Sequence, residues 1–169
     1  MIDPRLAAIG WHKDDQVAWG EDSRDGQVPA RVVGLHRNHI VNLLTVDGEI
    51  LGRPSGRMIQ DKTPATAMPA VGDWVSALPD GTIQEILPRR STLARRSASD
   101  RDRIQILAAN IDKAIVISSL NREHDPVRLE RMVRLAEASG AEPVIGLSKS
   151  DLTEEEKKPY VDAARVCRA

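Results

Sequence analysis

Two Asp-Gly dipeptides, Asp47-Gly48 and Asp80-Gly81, do most to limit what this chain can fold into. Asp-Gly suits the positive φ angles of tight hairpin turns, so each reads as the corner of an antiparallel pair. The first joins His39–Val46 to Glu49–Arg53, and the second joins Asp73–Leu78 to Thr82–Leu87. Ala30–Leu35 precedes both pairs, and all five segments are rich in Val, Ile, Leu and Thr, residues that fit a pleated, half-buried surface. Pro54–Pro69 carries three prolines and little periodicity, and reads as a loop. Five strands within about 60 residues predict a small closed or partly closed barrel of the OB-fold type, with an SH3-like barrel as the alternative. Alternation is imperfect at Val41, Leu43 and Leu44, as bulges or strong curvature produce.

From residue 104 the period changes. Ala114-Ile115-Val116-Ile117 is a continuous apolar run, the pattern of a strand covered on both faces. Asp125-Pro126 then supplies an N-cap and a first-turn proline whose missing N–H costs nothing there. Leu129, Met132, Val133 and Ala136 fall at helical spacing on one face, and Gly140 marks the stop. Pro143–Leu147 reads as a second strand, so the expectation is a βαβ unit with parallel strands. Thr153 and Glu156 fit a capping box, and Pro159 predicts a break before a last helix toward Ala169.

Composition narrows the function class. At 41% hydrophobic and 29% charged residues, the chain can bury a core. No apolar run approaches the ~18 residues of a membrane span, and Met1–Arg5 does not open a signal peptide, so a cytoplasmic protein without membrane contact is expected. Cys167 is the single cysteine, which excludes an intrachain disulfide, and His12, His36, His39 and His124 lack the companion cysteines of a structural zinc site. Residues 1–26 hold six acids against three bases. Residues 89–103 hold Arg89, Arg90, Arg95, Arg96, Arg101 and Arg103 against two aspartates, a local basic run suited to an anionic surface. The aromatics are Trp11, Trp19, Trp74 and Tyr160, too few for a stacking platform. Nucleic-acid contact through the arginines would therefore use phosphates and shape, and changing Arg89, Arg90, Arg95 and Arg96 is expected to spare barrel stability. Trp74 is expected in the barrel core, and Asn110 and Asp112 in a turn before the strand.

One tetrapeptide carries chemistry. Ser148-Lys149-Ser150-Asp151 directly follows the second strand of the βαβ unit, where ligands of open α/β sheets bind. It resembles the Asn/Thr-Lys-x-Asp base-recognition motif of GTPases. Guanine offers two adjacent donors, N1–H and the exocyclic amine, and one carboxylate accepts both. Adenine has no such pair on that edge. Asp151 would read the base and Lys149 would lie along its plane, while Ser148 replaces the usual amide with a shorter hydroxyl. No G-x-x-x-x-G-K-[ST] phosphate loop and no D-x-x-G segment occurs in the chain. Base recognition without a preceding phosphate loop implies a circularly permuted order.

The ordered stretches Leu6–Trp11, Pro69-Ala70-Val71-Gly72-Asp73-Trp74-Val75, Ile86-Leu87-Pro88-Arg89-Arg90-Ser91, Gln105–Asp112, Arg128-Leu129-Glu130-Arg131 and Ser148–Leu152 resemble the N-terminal half of the ribosome small-subunit-dependent GTPase A family. The resemblance implies a five-stranded OB-fold barrel followed by the first βαβ part of a circularly permuted P-loop GTPase domain. It implies GTP and Mg as ligands of the complete protein, Zn in a further C-terminal domain, and the small (30S) ribosomal subunit with its rRNA as partner. The expected layout is an N-terminal segment with a short helix at 1–26, the barrel at 27–95, a basic linker at 96–103 and the partial GTPase part at 104–169. Ser148, Lys149 and Asp151 are the expected nucleotide contacts, the six arginines the expected RNA contacts, and no catalytic residue is assigned. The expectation is a monomer that takes part in late small-subunit maturation but does not hydrolyse GTP on its own. The alternative is a non-catalytic rRNA-binding barrel with a scaffold βαβ extension.

Overall fold

The computed structural model describes residues 2–20, 26–60, 68–96, 104–119, 125–149 and 151. The chain divides into two compact units, Met1–Asn110 and Ile111–Ala169.

In the first unit Val28–Leu35 (β1), Val41–Thr45 (β2), Gly48–Pro54 (β3), Trp74–Ala77 (β4) and Thr82–Ile86 (β5) form a closed barrel in the order β1-β2-β3-β5-β4. All neighbours are antiparallel except β3 and β5, which meet in parallel at Arg53↔Thr82 and Pro54↔Ile83. This is the expected five-stranded OB-type barrel. The two hairpins fall where the Asp-Gly pairs put them, but only the glycines take positive φ, Gly48 at 128° and Gly81 at 84°. Gly81 is there for a second reason: a Cβ would collide with the Leu51 carbonyl oxygen as β3 and β5 close the barrel. The irregularity expected at Val41, Leu43 and Leu44 is not in β2, which pairs with β3 in continuous register; the register shifts lie instead at Val32/Gly34 in the β1–β2 pair and at Ser76/Ala77 in the β4–β5 pair. Ala30, Val32, Val41, Leu43, Val75, Ala77 and Ile83 fill the interior. Within the loop expected at 54–69, Gly56–Gln60 forms one short helix (α3).

The other face of β4 is covered from outside. Pro4–Ala8 (α1) and Lys13–Trp19 (α2) bring Leu6 and Trp11 against Trp74 and Leu87. The Trp11 and Trp74 rings meet edge-on at 4.6 Å, an arrangement favoured by the ring quadrupoles. Trp74 is fully buried, as expected, although its cover is this helical segment rather than the barrel interior. The N-terminal segment thus holds two helices, where one was expected.

The first unit also keeps Thr92–Arg96 (β6) and Ile104–Ala109 (β7), which pair antiparallel as a two-stranded ribbon. The change of texture at residue 104 pointed to a boundary there; the compact units instead meet after Asn110. The reason is hydrogen bonding: β7 is laddered to β6, and the Ala109 N–H donates to the Val71 carbonyl at 2.8 Å.

In the second unit Lys113–Ser119 (β8) and Glu142–Ser148 (β9) pair in parallel, in continuous register from Lys113↔Glu142 to Ser119↔Ser148. Pro126–Ala138 (α4) connects them and buries Leu129, Val133 and Ala136. The Asp125 carboxylate caps it, accepting the Val127 and Arg128 N–H groups at 3.0 and 3.1 Å. Val116, Ile145 and Leu147 pack under α4. The continuous run 114–117 was expected to be covered on both faces. Ile115 and Ile117, pointing away from α4, are 69% and 70% exposed, because the described residues provide no layer on that side. The capping box at Thr153, the helix toward Ala169, and Cys167 lie outside the described residues.

Candidate guanine-reading and nucleic-acid-binding residues

The candidate guanine reader begins where the parallel ladder stops. Ser148 is the last residue of β9, and its hydroxyl donates to the Ser118 carbonyl at the matching end of β8, 3.4 Å away. Lys149 then takes a left-handed backbone, φ 60°, and turns the chain off the strand. Lys149 and Asp151 are both exposed, and Ser150 is outside the described residues. Three residues of the motif thus stand at the carboxyl edge of the two strands. The open groove beside that edge, about 440 Å³, is lined by Ser118 and Ser119 of β8 and by Asp125 and Arg128 at the start of α4. A carboxylate on a solvent-facing turn has free lone pairs for a donor pair, and an extended lysine stem offers an apolar wall.

The arginine run divides. Arg89 turns inward: Nε and Nη2 donate to the two oxygens of Asp73 at 2.7 Å each, and Nη2 also reaches the Met68 carbonyl at 2.9 Å. Its side chain is 14% exposed and that of Asp73 is 0%. Asp73 also accepts the Ala70 N–H at 2.8 Å. Arg90 is held by its backbone, whose N–H donates to Asn110 Oδ1 at 2.9 Å, and its guanidinium stands 3.9 Å from buried Asp15. Arg95 and Arg96 point to solvent on β6, Arg95 meeting Gln105 across the ribbon at 3.4 Å. Arg101 and Arg103 lie outside the described residues. This geometry argues against the expectation that changing Arg89 would spare the barrel, because its partner is a fully buried carboxylate.

Asn110 does set a turn, but it does more. It is 1% exposed with φ 53°, and its side-chain amide donates to the Gly72 carbonyl at 3.0 Å. Its own N–H donates to Ser91 at 2.9 Å. Gly72 permits this approach, since a Cβ there would run into the Ala109 carbonyl oxygen. Arg31 donates to the Ile9 carbonyl at 2.5 Å and lies 5.6 Å from the Trp74 ring centroid. Sequence reasoning did not connect these residues. The available signal was Asp73 at the entry of an apolar strand, since a carboxylate there needs a nearby cation.

Among the described residues no cluster of three His, Cys, Asp or Glu side chains could hold a metal ion, so no step through magnesium or zinc is derived for them. No helix among them is long and apolar enough to cross a membrane.

Known proteins give this geometry a family. The family described as RsgA GTPase matches residues 86–167. A protein of Opitutus terrae named small ribosomal subunit biogenesis GTPase RsgA is 34% identical over 176 residues, covering 96% of this chain and 48% of that protein. The crystal structure of YjeQ from Thermotoga maritima shares the fold with a TM-score of 0.61 at 24% identity, over 83% of this chain and 48% of that one. The structure of YloQ, described as a circularly permuted GTPase, does so with a TM-score of 0.58 at 19% identity, covering 86% and 49%. The chain spans about half the length of the curated relatives it matches. Its sequence along nearly its whole length, and the barrel followed by a parallel two-stranded unit, make it a member of the RsgA/YjeQ family of circularly permuted GTPases.

Proposed function

We propose that this chain is the ribosome-contacting and base-reading part of a cytoplasmic GTPase that acts in maturation of the small ribosomal subunit. The observation that carries the nucleotide half is Ser148-Lys149-x-Asp151 at the carboxyl edge of β8 and β9. Asp151 accepts guanine N1–H and the exocyclic amine, and Lys149 covers one face of the base. Ser148, already donating to the Ser118 carbonyl, holds the end of β9 but lacks an amide's reach. Two charge-assisted bonds, worth roughly 1.5–3 kcal/mol each before ordering costs, favour an affinity weaker than about micromolar. Phosphate and magnesium contacts are assigned to no residue here, because no phosphate-loop motif occurs in the chain.

The ribosomal half rests on the name carried by the relatives and on the exposed arginines Arg95 and Arg96, with Arg101 and Arg103 between the ribbon strands in sequence. Arginine forks pair phosphate oxygens bidentately, and such pairing is strongly salt-dependent. It positions a protein on folded RNA without reading sequence.

Two measurements test the reading. A fluorescent GDP analogue is titrated into the chain and competed with GDP, xanthosine diphosphate and ADP. GDP should compete and ADP should not, and Asp151→Asn should shift preference toward xanthosine, whose edge matches an amide. An unchanged guanosine/xanthosine ratio removes Asp151 from the site. Equal competition by ADP would leave only the non-catalytic rRNA-binding alternative. Separately, co-sedimentation with small ribosomal subunits is followed over a salt series. Arg95→Gln with Arg96→Gln should weaken binding and lower the log–log salt slope by roughly one per lost phosphate contact. Parent-like affinity and slope would make the ribbon a solvated surface.

A further inference from the structure

We infer that Asp47-Gly48 is a site of spontaneous covalent modification, the conversion of aspartate to isoaspartate, and that the fold withholds the same chemistry from Asp80-Gly81. The dipeptide is the reactive unit. Gly48 N attacks Asp47 Cγ, the carboxyl hydroxyl leaves with the amide proton as water, and a five-membered succinimide closes. Water then re-enters at either ring carbonyl. Entry at Cγ restores aspartate, whereas entry at the Asp47 main-chain carbonyl leaves the chain running through Cβ and Cγ. No electrons are exchanged, and the mass returns to its starting value. Glycine favours closure because it has no Cβ to crowd the ring.

The two copies of this dipeptide differ in what holds them. The Asp47 side chain is 86% exposed, and its carboxylate accepts no hydrogen bond among the described residues. Arg5 Nη1 stands 3.9 Å away on a side chain that is itself exposed. Gly48 closes the last pair of the β2–β3 ladder, opposite Thr45, and nothing lies within 4 Å of the place its Cβ would take. A ladder opens at its end for the least free energy, so the carboxyl can swing back onto the Gly48 nitrogen.

At Asp80 both reacting groups are engaged. Oδ1 accepts the Thr82 N–H at 2.8 Å. That backbone bond holds the carboxyl below the usual carboxylate range, so the neutral form that can lose its hydroxyl is scarce. The Gly81 N–H donates to the Leu78 carbonyl at 2.9 Å, and the Gly81 carbonyl accepts the Arg53 N–H at 3.1 Å. Gly81 is also wedged against the Leu51 carbonyl. Turning this peptide would unpick the β3–β5 closure of the barrel.

Isomerisation at Asp47 reaches beyond its turn, because it lengthens the main chain between Val46 and Gly48. Val46 packs against the cluster of Leu6, Trp11, Trp74 and Leu87, and Asp47 faces Arg5 of α1. A lengthened turn displaces both contacts and loosens the cluster around the tryptophans. The main-chain carboxylate that isoaspartate frees is a substrate for carboxyl methylation by S-adenosylmethionine, so the altered chain becomes a methyl acceptor.

The test ages the full chain at 37 °C and about pH 5, where a free aspartate is still partly neutral, with and without denaturing urea. Tryptic peptides are separated by retention, the isomerised residue is placed by electron-transfer fragmentation, and isoaspartate is quantified with a protein carboxyl methyltransferase and S-adenosylmethionine. In the folded chain isoaspartate should form at Asp47 about fivefold faster than at Asp80, or more, because a ladder end opens more readily than the barrel closure. In urea the two rates should converge. Asp47→Glu, whose ring would need six members, keeps the charge facing Arg5 and should stop methylation of this peptide. Ageing should shift the tryptophan emission of the parent to the red in step with isomerisation, and leave that of Asp47→Glu in place. Equal rates at the two sites in the folded chain, or isoaspartate at Asp47 in urea alone, overturns the site. Unchanged emission from a fully isomerised chain overturns the coupling to the tryptophan cluster.

Discussion

The barrel and the β8–α4–β9 unit are built from similar apolar residues, yet they complete themselves to different degrees. In the barrel every strand has two partners, and Ala30, Val32, Leu43, Val75, Ala77 and Ile83 are wholly buried. In the second unit each strand has one described partner, and one face of the pair is covered. Val116 is 8% exposed under α4, while its neighbours Ile115 and Ile117 are about 70% exposed. A closed sheet satisfies its own edges and core. A parallel pair is a fragment of an architecture whose members are normally covered on both faces. Apolar composition therefore does not report whether a strand finishes its core within the described residues; topology does.

The same deletion made in each region should expose the difference most strongly. Ile83→Ala removes methyl groups from a filled barrel interior and should cost about 2–5 kcal/mol. Ile117→Ala removes the same atoms from a solvent-facing position and should change stability by less than about 0.5 kcal/mol. Urea unfolding by circular dichroism measures both in the same chain, with tryptophan fluorescence as a barrel-specific probe, since Trp11, Trp19 and Trp74 all lie in the first unit. A loss at Ile117 as large as that at Ile83 would mean that the exposed face is covered in solution, and the contrast would collapse.

A second contrast lies inside the arginine run. Arg89→Gln strands the buried Asp73 carboxylate and should cost about 3–5 kcal/mol of barrel stability. Arg95→Gln, on the exposed ribbon, should cost less than about 0.5 kcal/mol while changing the salt dependence of subunit binding. Thermal melts paired with co-sedimentation separate the two roles. If Arg89→Gln melts with the parent, its bidentate bonds add little and Arg89 returns to the list of candidate RNA contacts.

These contrasts mark what could be read from the sequence. Hairpins were legible because Asp47-Gly48 and Asp80-Gly81 encode their turns locally. The α4 boundaries were legible because Asp125-Pro126 and Gly140 are local signals as well. The Ser148–Asp151 motif was found at the end of its strand for the same reason. What escaped was long-range. Arg89 and Arg95 carry the same charge in one short run, and only the position of Asp73 across the fold gives them opposite roles. Asn110 showed its turn but not its bonds to Gly72, Ser91 and the Arg90 backbone, which join segments up to 38 residues apart. The ribbon strand β7 was grouped with the second unit because its partner β6 precedes a stretch that reads as a linker.

The smallest expected effect concerns a turn and its response to acid. Asp80 accepts the Thr82 N–H at 2.8 Å in the β4–β5 turn, and that backbone bond holds its carboxyl below the usual carboxylate range. A carboxyl lowered by folding stabilises the native state fully above its unfolded pKa. The contribution is lost as the pH falls through the lower folded value, when the acceptor becomes protonated. At the β8–β9 connection a carboxylate also accepts backbone N–H groups, but Asp125 there caps a helix instead of closing a hairpin. Asp80→Asn keeps a side-chain acceptor in the turn but removes the titration. The parent should therefore be slightly more stable than the variant at pH 7, and the gap should close as the pH is lowered below the ordinary carboxylate range. Melting both proteins from pH 7 to pH 3 measures the gap directly. A gap that is constant with pH would mean that the turn depends on the shape of the side chain and not on its charge.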